Sequence, residues 1–522
     1  MMLTYKTIGE SLEECSRLFP DKIAIIYENS SYTWSQVNLE SNLLAYQMHK
    51  MGIRKLTKVA IWSVNRPEWI FTYLALVKLG AVPVLVNTCY QEQELIDLLD
   101  YADVEYLYYG DSYKEICYQD IVTSIKNKNC TKVKEWIALS DIKTDKTSHL
   151  DAWLFVAATA KKIGAGDVAG MLFTSGTTSK PKGVLLTHLN LVNTALSTIQ
   201  SMGWEAEDRI CITVPLFHCF GLTSSMLTTI LLGGSMCLLP YYRTIRVLES
   251  IQEHRCTVIN GVPSMFLAMT RNPDFDQYDK SSLKSGIIAG SPLFPEEYKR
   301  LAEKLQGVRL TPSYGQTETS PAVSFTLPGD SIELCSKSAG KIIRGIKVRI
   351  ADPNTGEVMK TDETGEIQVK GFNVMRGYYC LSEATKRTFT EDGWLHTGDL
   401  GVMDAEGYLY VRGRIKEVII RAGENISPRE IEEVLLENPD IVQAAVFGVP
   451  AEVIQEQVVA CIICRAGARL QEKELQEQLA LRLSHYKIPE HILLFDKFPV
   501  TASGKVKIQE LKDLAIKQLS AI

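Results

Sequence analysis

The sequence predicts an α/β protein of doubly wound layers, with a small β-rich subdomain later in the chain. Between Leu12 and about Tyr108, amphipathic segments of helical length alternate with short apolar segments typical of strands. That alternation indicates a parallel sheet covered by helices. Glycine-punctuated strands at 365–371 and 375–379 indicate the β-rich part, to which no chemistry is assigned. With 522 residues the chain is too long for one hydrophobic core, so several subdomains are expected.

The first elements of the α/β part can be assigned individually. Lys58–Trp62 is predicted as a strand, Glu68–Leu79 as a helix and Val82–Asn87 as a second strand. The most apolar segment, Trp69–Val86, is interrupted by lysine, glycine and proline. These interruptions favour a buried helix followed by a strand over a membrane span.

Composition and charge are those of an ordinary soluble globular protein. Apolar residues make up 46% and charged residues 23% of the chain. The formal net charge of −6 offers no concentrated positive surface, so no nucleic acid partner is expected. Residues 1–17 carry glutamates and lack an apolar core, so we expect no signal peptide and a cytoplasmic protein.

The cysteines indicate core thiols and not a disulfide framework or a metal site. Twelve are scattered along the chain, which suits a reducing compartment. Cys461 and Cys464 have metal-like spacing, but they lie in a predicted strand, where residues three apart point to opposite faces. No second pair completes a set of four ligands, so we interpret both as core residues.

A donor-rich loop between two predicted strands is the most informative stretch. Val168–Phe173 and Val184–Leu186 are apolar, and residues 174–183 hold hydroxyls, glycines and lysines. Glycine lets backbone N–H groups face an anion, and hydroxyls and lysines add donors and positive charge. The pattern predicts a hairpin that binds phosphate. The residues expected to bind are Thr174, Ser175, Gly176, Thr177, Thr178 and Lys182.

This loop is not the common nucleoside-triphosphate loop, G-x-x-x-x-G-K-[ST]. Pro181 stands five residues after Gly176 and removes an N–H from the expected nest. Lys182 is followed by Gly183 and not by serine or threonine. A kinase-like or GTPase-like site is therefore disfavoured, and the magnesium ligand must lie elsewhere in the chain.

The second strong motif is Ser313–Pro321, where an aromatic residue, a glycine, hydroxyls and one carboxylate stand together. Tyr314 offers a ring face on which a base can stack, and Thr317 offers a hydroxyl for a phosphate. Glu318 supplies the hard oxygen that the loop lacks, since magnesium is usually held by a carboxylate and phosphate oxygens. The alternative is a surface turn with a solvated glutamate.

Three further segments contain residues that could bind a ligand, but each also has an ordinary structural interpretation. Gly286–Pro292 predicts a strand and tight turn, which suits the approach of a flat ligand as well as a plain turn. Asp399 can accept both ribose hydroxyls and Arg414 can support the same sugar, although either alone is typical of a turn or surface position. Lys505, presented by the Ser503–Gly504 turn, is by residue type alone a solvated lysine.

Two stretches allow structural interpretations. Ser427, Pro428 and Glu430 predict a capping box with proline at the first helical position, opening a helix over Arg429–Leu436. His218 stands among aromatic residues after an apolar strand, and a lone histidine there is more often a hydrogen-bonded core residue than a functional one.

Together, the hairpin loop, the Ser313–Pro321 motif and the turn at 503–505 resemble the acyl-adenylate-forming, or AMP-binding, superfamily. This superfamily includes acyl-CoA synthetases, amino-acid adenylation domains and beetle luciferases. The chain is most similar to the medium-chain acyl-CoA synthetases, and the resemblance covers nearly its whole length. Ser179, Ala422 and Gln455 stand where the family often has glycine.

The resemblance implies two domains and a hinge. Residues 1–414 would form a large AMP-binding and acyl-binding domain, and residues 415–522 a small, mobile α+β domain. Lys416 matches the charged hinge residue, and Gly423 the glycine that leaves room for pantetheine. Lys505 matches the catalytic lysine, which bridges the substrate carboxylate and the α-phosphate.

The resemblance also implies which residues take part in catalysis, metal binding and nucleotide binding. Thr317, Glu318 and His218 join Lys505 as catalytic residues, with Glu318 as the metal ligand. The other residues expected at the nucleotide are Gly290, Ser291 and Pro292 at the adenine, Tyr314, Gly315 and Gln316 in the second motif, and Asp399 and Arg414 at the ribose.

The implied reaction is acid activation with ATP and Mg²⁺, followed by transfer of the acyl group to coenzyme A. Acyl-CoA synthetases have an aromatic or histidine gate at the position of His218, whereas amino-acid-activating relatives have an aspartate. A neutral His218 beside Phe217 and Phe220 therefore predicts an acid without an α-ammonium group, such as a medium-length aliphatic or aromatic acid. Three alternatives stay open: loading of a carrier-protein thiol, an inactive nucleotide-binding homologue, and an ordinary ATPase.

Overall fold

The structure is a computed structural model that describes residues 2–174, 181–291, 293–421, 424–451, 455–468, 470–502 and 504–519. It is a mixed α/β protein with a large N-terminal part and a small C-terminal part, as the sequence predicts. Four sheets of four or more strands organise the described chain, and a small two-stranded ribbon pairs Ser112–Tyr113 with Ile116–Cys117.

The largest sheet has nine strands, and its six central ones are parallel to their neighbours. Antiparallel strands extend both edges. Because parallel strands require crossovers, helices cover this sheet, as expected for a doubly wound layer. The spatial order is Lys341–Ile342, Ser324–Phe325, Arg309–Tyr314, Ser285–Ile288, Val258–Ile259, Arg209–Ile212, Ser235–Leu238, Ile23–Tyr27 and Ser30–Thr33.

The second sheet has seven strands, and the predicted hairpin lies next to its edge strand, Gly377–Tyr378. Its parallel part contains the strands foreseen at Lys58–Trp62 and after residue 82. The hairpin strands are antiparallel, and Lys182 lies directly opposite Thr174. The spatial order is Gly377–Tyr378, Lys182–Thr187, Val168–Thr174, Val82–Leu85, Lys58–Trp62, Tyr106–Tyr109 and Glu135–Ala138.

Two smaller sheets follow along the chain. The predicted β-rich part is an antiparallel sheet in the order Ile346–Ala351, Gly365–Gly371, Leu395–Met403 and Leu409–Arg414. The C-terminal part is built on a sheet in the order Glu424–Ile426, Ile419–Arg421, Gln455–Cys464 and Ile441–Ala451, with His491–Leu494 pairing in parallel to Gln455–Cys464.

The helices pack on these sheets, and a π-helical turn at Leu222–Leu227 interrupts one helical segment. Their bounds are Ile8–Leu18, Trp34–Lys50, Pro67–Leu79, Glu92–Tyr101, Tyr118–Lys128, His149–Ala160, His188–Met202, Cys219–Gly221, Thr228–Leu232, Thr244–His254, Pro263–Thr270, Pro295–Lys304, Ile332–Lys337, Ser382–Arg387, Pro428–Leu436, Glu472–Ala480 and Ile508–Leu519.

The apolar segment at 69–86 is a buried helix and strand, as predicted. Every residue of Pro67–Leu79 except Glu68 is buried, and Val82–Leu85 is a buried strand between two others. Gly80 ends the helix at a φ of +69°, where a residue without a Cβ is favoured. Across the described ranges, no helix combines the length and the apolar character that a bilayer crossing requires.

The predicted capping box at Ser427 is wrong. Pro428 does occupy the first helical turn, but the Ser427 side chain makes no capping hydrogen bond. Its hydroxyl instead donates to the carbonyl oxygen of Arg412 at 3.1 Å, and Glu430 accepts a hydrogen bond from Lys487 at 2.7 Å. The Ser427 side chain is directed to Arg412 and the Glu430 carboxylate to Lys487, so these tertiary contacts are made in place of the local capping contacts.

The cysteines are divided between the core and the surface. All twelve are unpaired thiols. Cys461 is fully buried in the strand Gln455–Cys464 and Cys464 is half-buried. Within the part of the chain that the structure describes, no group of three or more His, Cys, Asp or Glu residues could hold a metal ion.

Buried His188 predicts a loss of stability at mildly acidic pH. Its Nδ1 accepts a hydrogen bond from the N–H of Ile8 at 3.1 Å, and burial lowers its pKa to about 4. The unfolded chain takes up this proton near pH 6.5 and the folded chain does not, so stability falls as pH drops through that window. Between pH 7 and pH 5 we expect this histidine to remove about 2 kcal/mol from the free energy of unfolding.

Chemical denaturation at both pH values measures this loss. His188→Gln should reduce the difference between the two free energies, whereas His149→Gln, at an exposed position, should leave it unchanged. An unaltered difference in His188→Gln would contradict the assignment.

Candidate active site

The candidate active site lies at the carboxyl edge of the nine-stranded sheet. Arg309–Tyr314 leads into the short 3₁₀ turn Thr317–Thr319, and its parallel neighbour Ser285–Ile288 leads into Gly290 and Ser291. Arg209–Ile212 points the same way and precedes the loop that carries His218. Because parallel strands end at one edge, these three segments converge where ligands usually bind in such folds.

Asp399 and Arg414 meet as predicted, and Tyr314 joins them. Asp399 lies directly opposite Arg414 in the hairpin of the four-stranded sheet. Arg414 Nε donates to Asp399 Oδ1 at 3.0 Å, and the Tyr314 hydroxyl donates to Asp399 Oδ2 at 2.7 Å. Burial raises the pKa of Asp399, and Arg414 counters that rise. The second motif is therefore tied to the ribose pair by a hydrogen bond that the sequence did not predict.

Glu318 is a buried carboxylate in the 3₁₀ turn. Its Oε1 accepts a hydrogen bond from the hydroxyl of Tyr378 at 2.9 Å. Burial raises the pKa of Glu318, and Tyr378, Arg414 and Lys182 each lower it. Among the described residues Glu318 forms no ion pair, although the charges of Arg414 and Lys182 act on it.

The donor set at Glu318 fits a magnesium ion that arrives with its nucleotide. A single carboxylate next to phosphate oxygens is a common way to hold magnesium, whereas a cage of protein ligands is not needed. No metal-binding group of three or more side chains accompanies Glu318 in the described ranges. The residues present thus match a nucleotide-borne divalent cation.

The structure describes the two strands of the predicted phosphate-binding hairpin, up to Thr174 and from Pro181 onward. Thr174 and Lys182 are half-buried and face each other across the strand pair. Lys182 Nζ lies 4.8 Å from the ring centroid of Tyr378. Six predicted contact residues lie outside the described residues: Ser175, Gly176, Thr177, Thr178, Pro292 and Gly423.

Lys505 of the C-terminal part reaches the same cleft. The charges of Glu318, Asp399 and Arg414 all act on its ammonium group, and its own charge acts on His218. The side chain is still accessible to solvent, while desolvation by the surrounding protein, with Arg414, lowers its pKa. The ammonium group of a residue near the end of the chain is thus within electrostatic range of the candidate nucleotide and metal groups.

Hydrogen bonds hold the turn that presents Lys505. The Lys505 N–H donates to Thr501 Oγ1 at 3.1 Å, and Gly504 has a φ of +84°. The Ser264 hydroxyl donates to the carbonyl oxygen of Gly504 at 3.4 Å, which joins the turn to the N-terminal part. A Cβ added to Gly290 would lie 3.7 Å from Lys505 Cε, so the lysine passes close to the predicted adenine turn.

The remaining predicted positions of the second motif are Gly315, Gln316 and Thr317. A Cβ at Gly315 would lie 1.6 Å from the carbonyl oxygen of Pro321, so this position excludes a side chain. The Gln316 side chain donates to the carbonyl oxygen of Thr397 at 3.4 Å, near Asp399 in sequence. Thr317 is half-buried at the start of the turn.

His218 is neutral near pH 7. Enclosure by protein and the charge of Lys505 lower its pKa to about 3. Its ring centroid lies 4.3 Å from that of Phe217, in a tilted arrangement. Neutrality and an aromatic neighbour agree with the interpretation of this position as an uncharged gate.

Asn65 holds the loop before His218, and sequence reasoning missed it. Its amide nitrogen donates to the carbonyl oxygens of Val214 and Leu239, both at 3.1 Å, and its Oδ1 accepts from the N–H of Leu216 at 2.9 Å. Asn65 follows a strand of the other large sheet, so it fixes the two sheets to each other at the site. A lone asparagine after a strand carries no sequence signal for this role.

Lys416 lies at the junction between the two smaller sheets. It is exposed in the short turn Ile415–Glu417, after Leu409–Arg414 and before Ile419–Arg421. The first of these strands belongs to the four-stranded sheet and the second to the C-terminal sheet. This is the position a hinge residue would occupy.

Comparison with known proteins agrees with this geometry. The AMP-binding enzyme family model matches residues 12–379, and the AMP-binding enzyme C-terminal domain model matches residues 430–505. The putative acyl-CoA synthetase YngI of Bacillus subtilis (strain 168) is 36% identical over 541 residues, covering 99% of this chain and 98% of that protein. The mitochondrial medium-chain acyl-CoA ligase ACSF2 of Mus musculus is 31% identical, covering 98% and 88%.

A solved structure shows the same fold. ATP-bound MatB from Rhodopseudomonas palustris superposes with a TM-score of 0.86 at 26% identity, covering 98% of this chain and 99% of that one. The family model spans most of the chain, and the curated relatives match nearly all of it. The chain therefore belongs to the AMP-binding enzyme family.

Proposed function

We propose that this protein is an ATP-dependent, AMP-forming acyl-CoA ligase. It activates a carboxylic acid as acyl-AMP, releases pyrophosphate and transfers the acyl group to the thiol of coenzyme A. The observation that carries the proposal is the position of Lys505 in the cleft that holds Glu318, Asp399 and His218. The names of YngI and ACSF2 support it, because both are called acyl-CoA synthetases or ligases.

The first step joins two anions, and the site residues lower the repulsion between them. The substrate carboxylate attacks the α-phosphate of ATP, the bond to the pyrophosphate oxygen breaks, and acyl-AMP and pyrophosphate form. Lys505 offsets the negative charge that accumulates at the α-phosphate, and the hydroxyl of Thr317 contacts it. Thr174 and Lys182 would bind the leaving phosphates, and Asp399 with Arg414 would fix the ribose.

Glu318 would hold the magnesium ion together with the phosphate oxygens. When bound, the ion supplies positive charge that neutralises the phosphates during displacement. The role of Glu318 is to offer a buried carboxylate oxygen, which the Tyr378 hydroxyl orients.

The second step requires a different arrangement of the same cleft. The C-terminal domain, residues 415–522, would rotate about Lys416, withdraw Lys505 and bring Gly423 to the site, where pantetheine enters. The thiol of coenzyme A then attacks the acyl carbonyl, AMP leaves, and a thioester forms. Hinge motion about a few residues is an established kind of domain rearrangement, and here it would give one pocket two arrangements in turn.

The acid is expected to lack an α-ammonium group and to be a medium-length aliphatic or aromatic acid, and with an aliphatic acid the enzyme would act in fatty acid metabolism. Support comes from a neutral His218 with its Phe217 neighbour, which offers no fixed negative charge. The unpaired thiols support the cytoplasm as its compartment.

An assay with purified protein tests the proposal. ATP, Mg²⁺ and a panel of carboxylic acids are supplied, hydroxylamine traps activated acyl groups, and nucleotide products are separated. We expect AMP and pyrophosphate with a medium-chain or aromatic acid, and a thioester when coenzyme A is added. ADP as the nucleotide product would indicate an ordinary ATPase, and the absence of pyrophosphate with every acid would indicate an inactive homologue.

A carrier protein is the alternative acceptor, because its phosphopantetheine arm ends in the same thiol. Parallel reactions with coenzyme A and with a holo acyl carrier protein distinguish the two. Thioester formation with the carrier alone would replace the proposed acceptor and leave the adenylation step unaffected.

A further inference from the structure

Tyr378 connects the phosphate hairpin to the candidate metal ligand. Gly377–Tyr378 forms the edge strand that pairs antiparallel with Lys182–Thr187. On either side of Tyr378, the N–H groups of Arg376 and Tyr379 donate to carbonyl oxygens of that hairpin strand at 3.0 and 2.8 Å. The Tyr378 backbone is therefore fixed relative to the hairpin before any ligand binds.

The hydroxyl of Tyr378 contacts the carboxylate of Glu318. It donates to Oε1 at 2.9 Å. A phenol hydroxyl carries its proton at neutral pH, so it is the donor in this contact with the carboxylate. The bond engages one carboxylate oxygen, which sets the direction in which the other oxygen points.

The ring of Tyr378 contacts Lys182 of the hairpin. Lys182 Nζ lies 4.8 Å from the ring centroid, within the range of a cation–π contact. Lys182 lowers the pKa of Glu318, so the two charges act on each other, yet they form no ion pair. The ring holds the ammonium group on its face, and the carboxylate is not neutralised by it.

Resting on the proposed function, we propose that Tyr378 is a positioning residue for the nucleotide-borne divalent cation. Its hydroxyl orients Glu318, and its ring keeps Lys182 available for phosphate and away from the carboxylate. A metal–nucleotide complex then meets the Glu318 carboxylate and the Lys182 ammonium group on two sides of the same tyrosine. Nothing in the sequence motif around residues 375–379 suggested this chemistry.

The substitution Tyr378→Phe removes the hydroxyl and keeps the ring. Calorimetric titration with α,β-methylene-ATP, once with Mn²⁺ and once with EDTA, separates metal-dependent from metal-independent binding without turnover. Loss of a hydrogen bond to a metal ligand commonly weakens metal affinity about 10-fold or more, so we expect a loss of about 10-fold for the Mn²⁺ complex and none for the free nucleotide. In turnover assays, the KM for Mg²⁺ should rise while kcat recovers at saturating Mg²⁺.

Tyr379→Phe is the matched control, because Tyr379 donates to Asp103 at 3.0 Å and not to Glu318. It should bind both nucleotide forms as the wild type does. Unchanged binding of the Mn²⁺ complex in Tyr378→Phe, or equal weakening with and without metal, would overturn the positioning role alone. A wild-type protein that binds neither form would overturn the proposed function and this inference with it.

Discussion

Replacing Lys505 by alanine is expected to lower acyl-adenylate formation by about 10²–10³-fold, the range seen when a group that stabilises transition-state charge is removed. The reason is that Lys505 brings a positive charge into a cleft that already holds Glu318 and Asp399 and that must accept further anions. Thioester formation from supplied acyl-adenylate should change little, because the proposed second step proceeds with Lys505 withdrawn. Pyrophosphate release measures the first step, and thioester yield from acyl-AMP and coenzyme A measures the second.

Lys507→Ala is the control for this change. Lys507 lies two residues further on, is exposed and pairs with Glu510 at 3.1 Å, so its removal should leave both steps intact. Equal losses of both steps in Lys505→Ala would contradict the two-conformation mechanism. Lys505→Arg tests geometry, since a planar guanidinium keeps the charge but differs in shape from a compact ammonium group.

Replacing Asp399 by alanine is expected to lower kcat/KM for ATP about 100-fold, or about 3 kcal/mol, with little change in the KM of the acid. Each oxygen of the buried carboxylate accepts one hydrogen bond from the protein, and each has a further lone pair for a ribose hydroxyl. The substitution would remove both proposed ribose contacts, and it leaves the Tyr314 hydroxyl and the Arg414 guanidinium without their shared partner.

Asp392→Ala serves as the comparison for Asp399→Ala. Asp392 is an exposed aspartate that pairs with Arg349 at 2.9 Å. Its loss should leave the KM for ATP unchanged. If Asp399→Ala raised the KM of the acid as much as that of ATP, the ribose assignment would have to be abandoned in favour of a general structural role.

Local patterns in the sequence predicted the elements and much of the site. The strand at Lys58–Trp62, the buried helix that follows and the hairpin strands around residues 174–183 were all correct, because apolar spacing, glycine and hydroxyl content act on the backbone nearby. The family followed from the same short motifs. Boundaries shifted by a few residues; the strand predicted to end at Asn87 ends at Leu85.

Side-chain partners distant in sequence could not be predicted in this way. Tyr314 and Asp399 are 85 residues apart, Glu318 and Tyr378 are 60 apart, and Asn65 reaches Val214 across 149 residues. Each of these bonds depends on how separate sheets pack, which no local pattern records. The packing of separate elements also explains the wrong prediction at Ser427. Its hydroxyl donates to the carbonyl oxygen of Arg412 and makes no capping hydrogen bond.

The sequence by itself therefore determined the main elements and the family to which the chain belongs, and it supplied the predictions of a phosphate-binding hairpin and of the nucleotide contacts. Only the tertiary structure decided that the C-terminal lysine faces Glu318 and Asp399, that Tyr378 orients the carboxylate, and that Asn65 joins the sheets. The physical reason is range: backbone preferences act over a few neighbouring residues, whereas hydrogen bonds and charges between side chains form wherever packing brings them within a few ångströms.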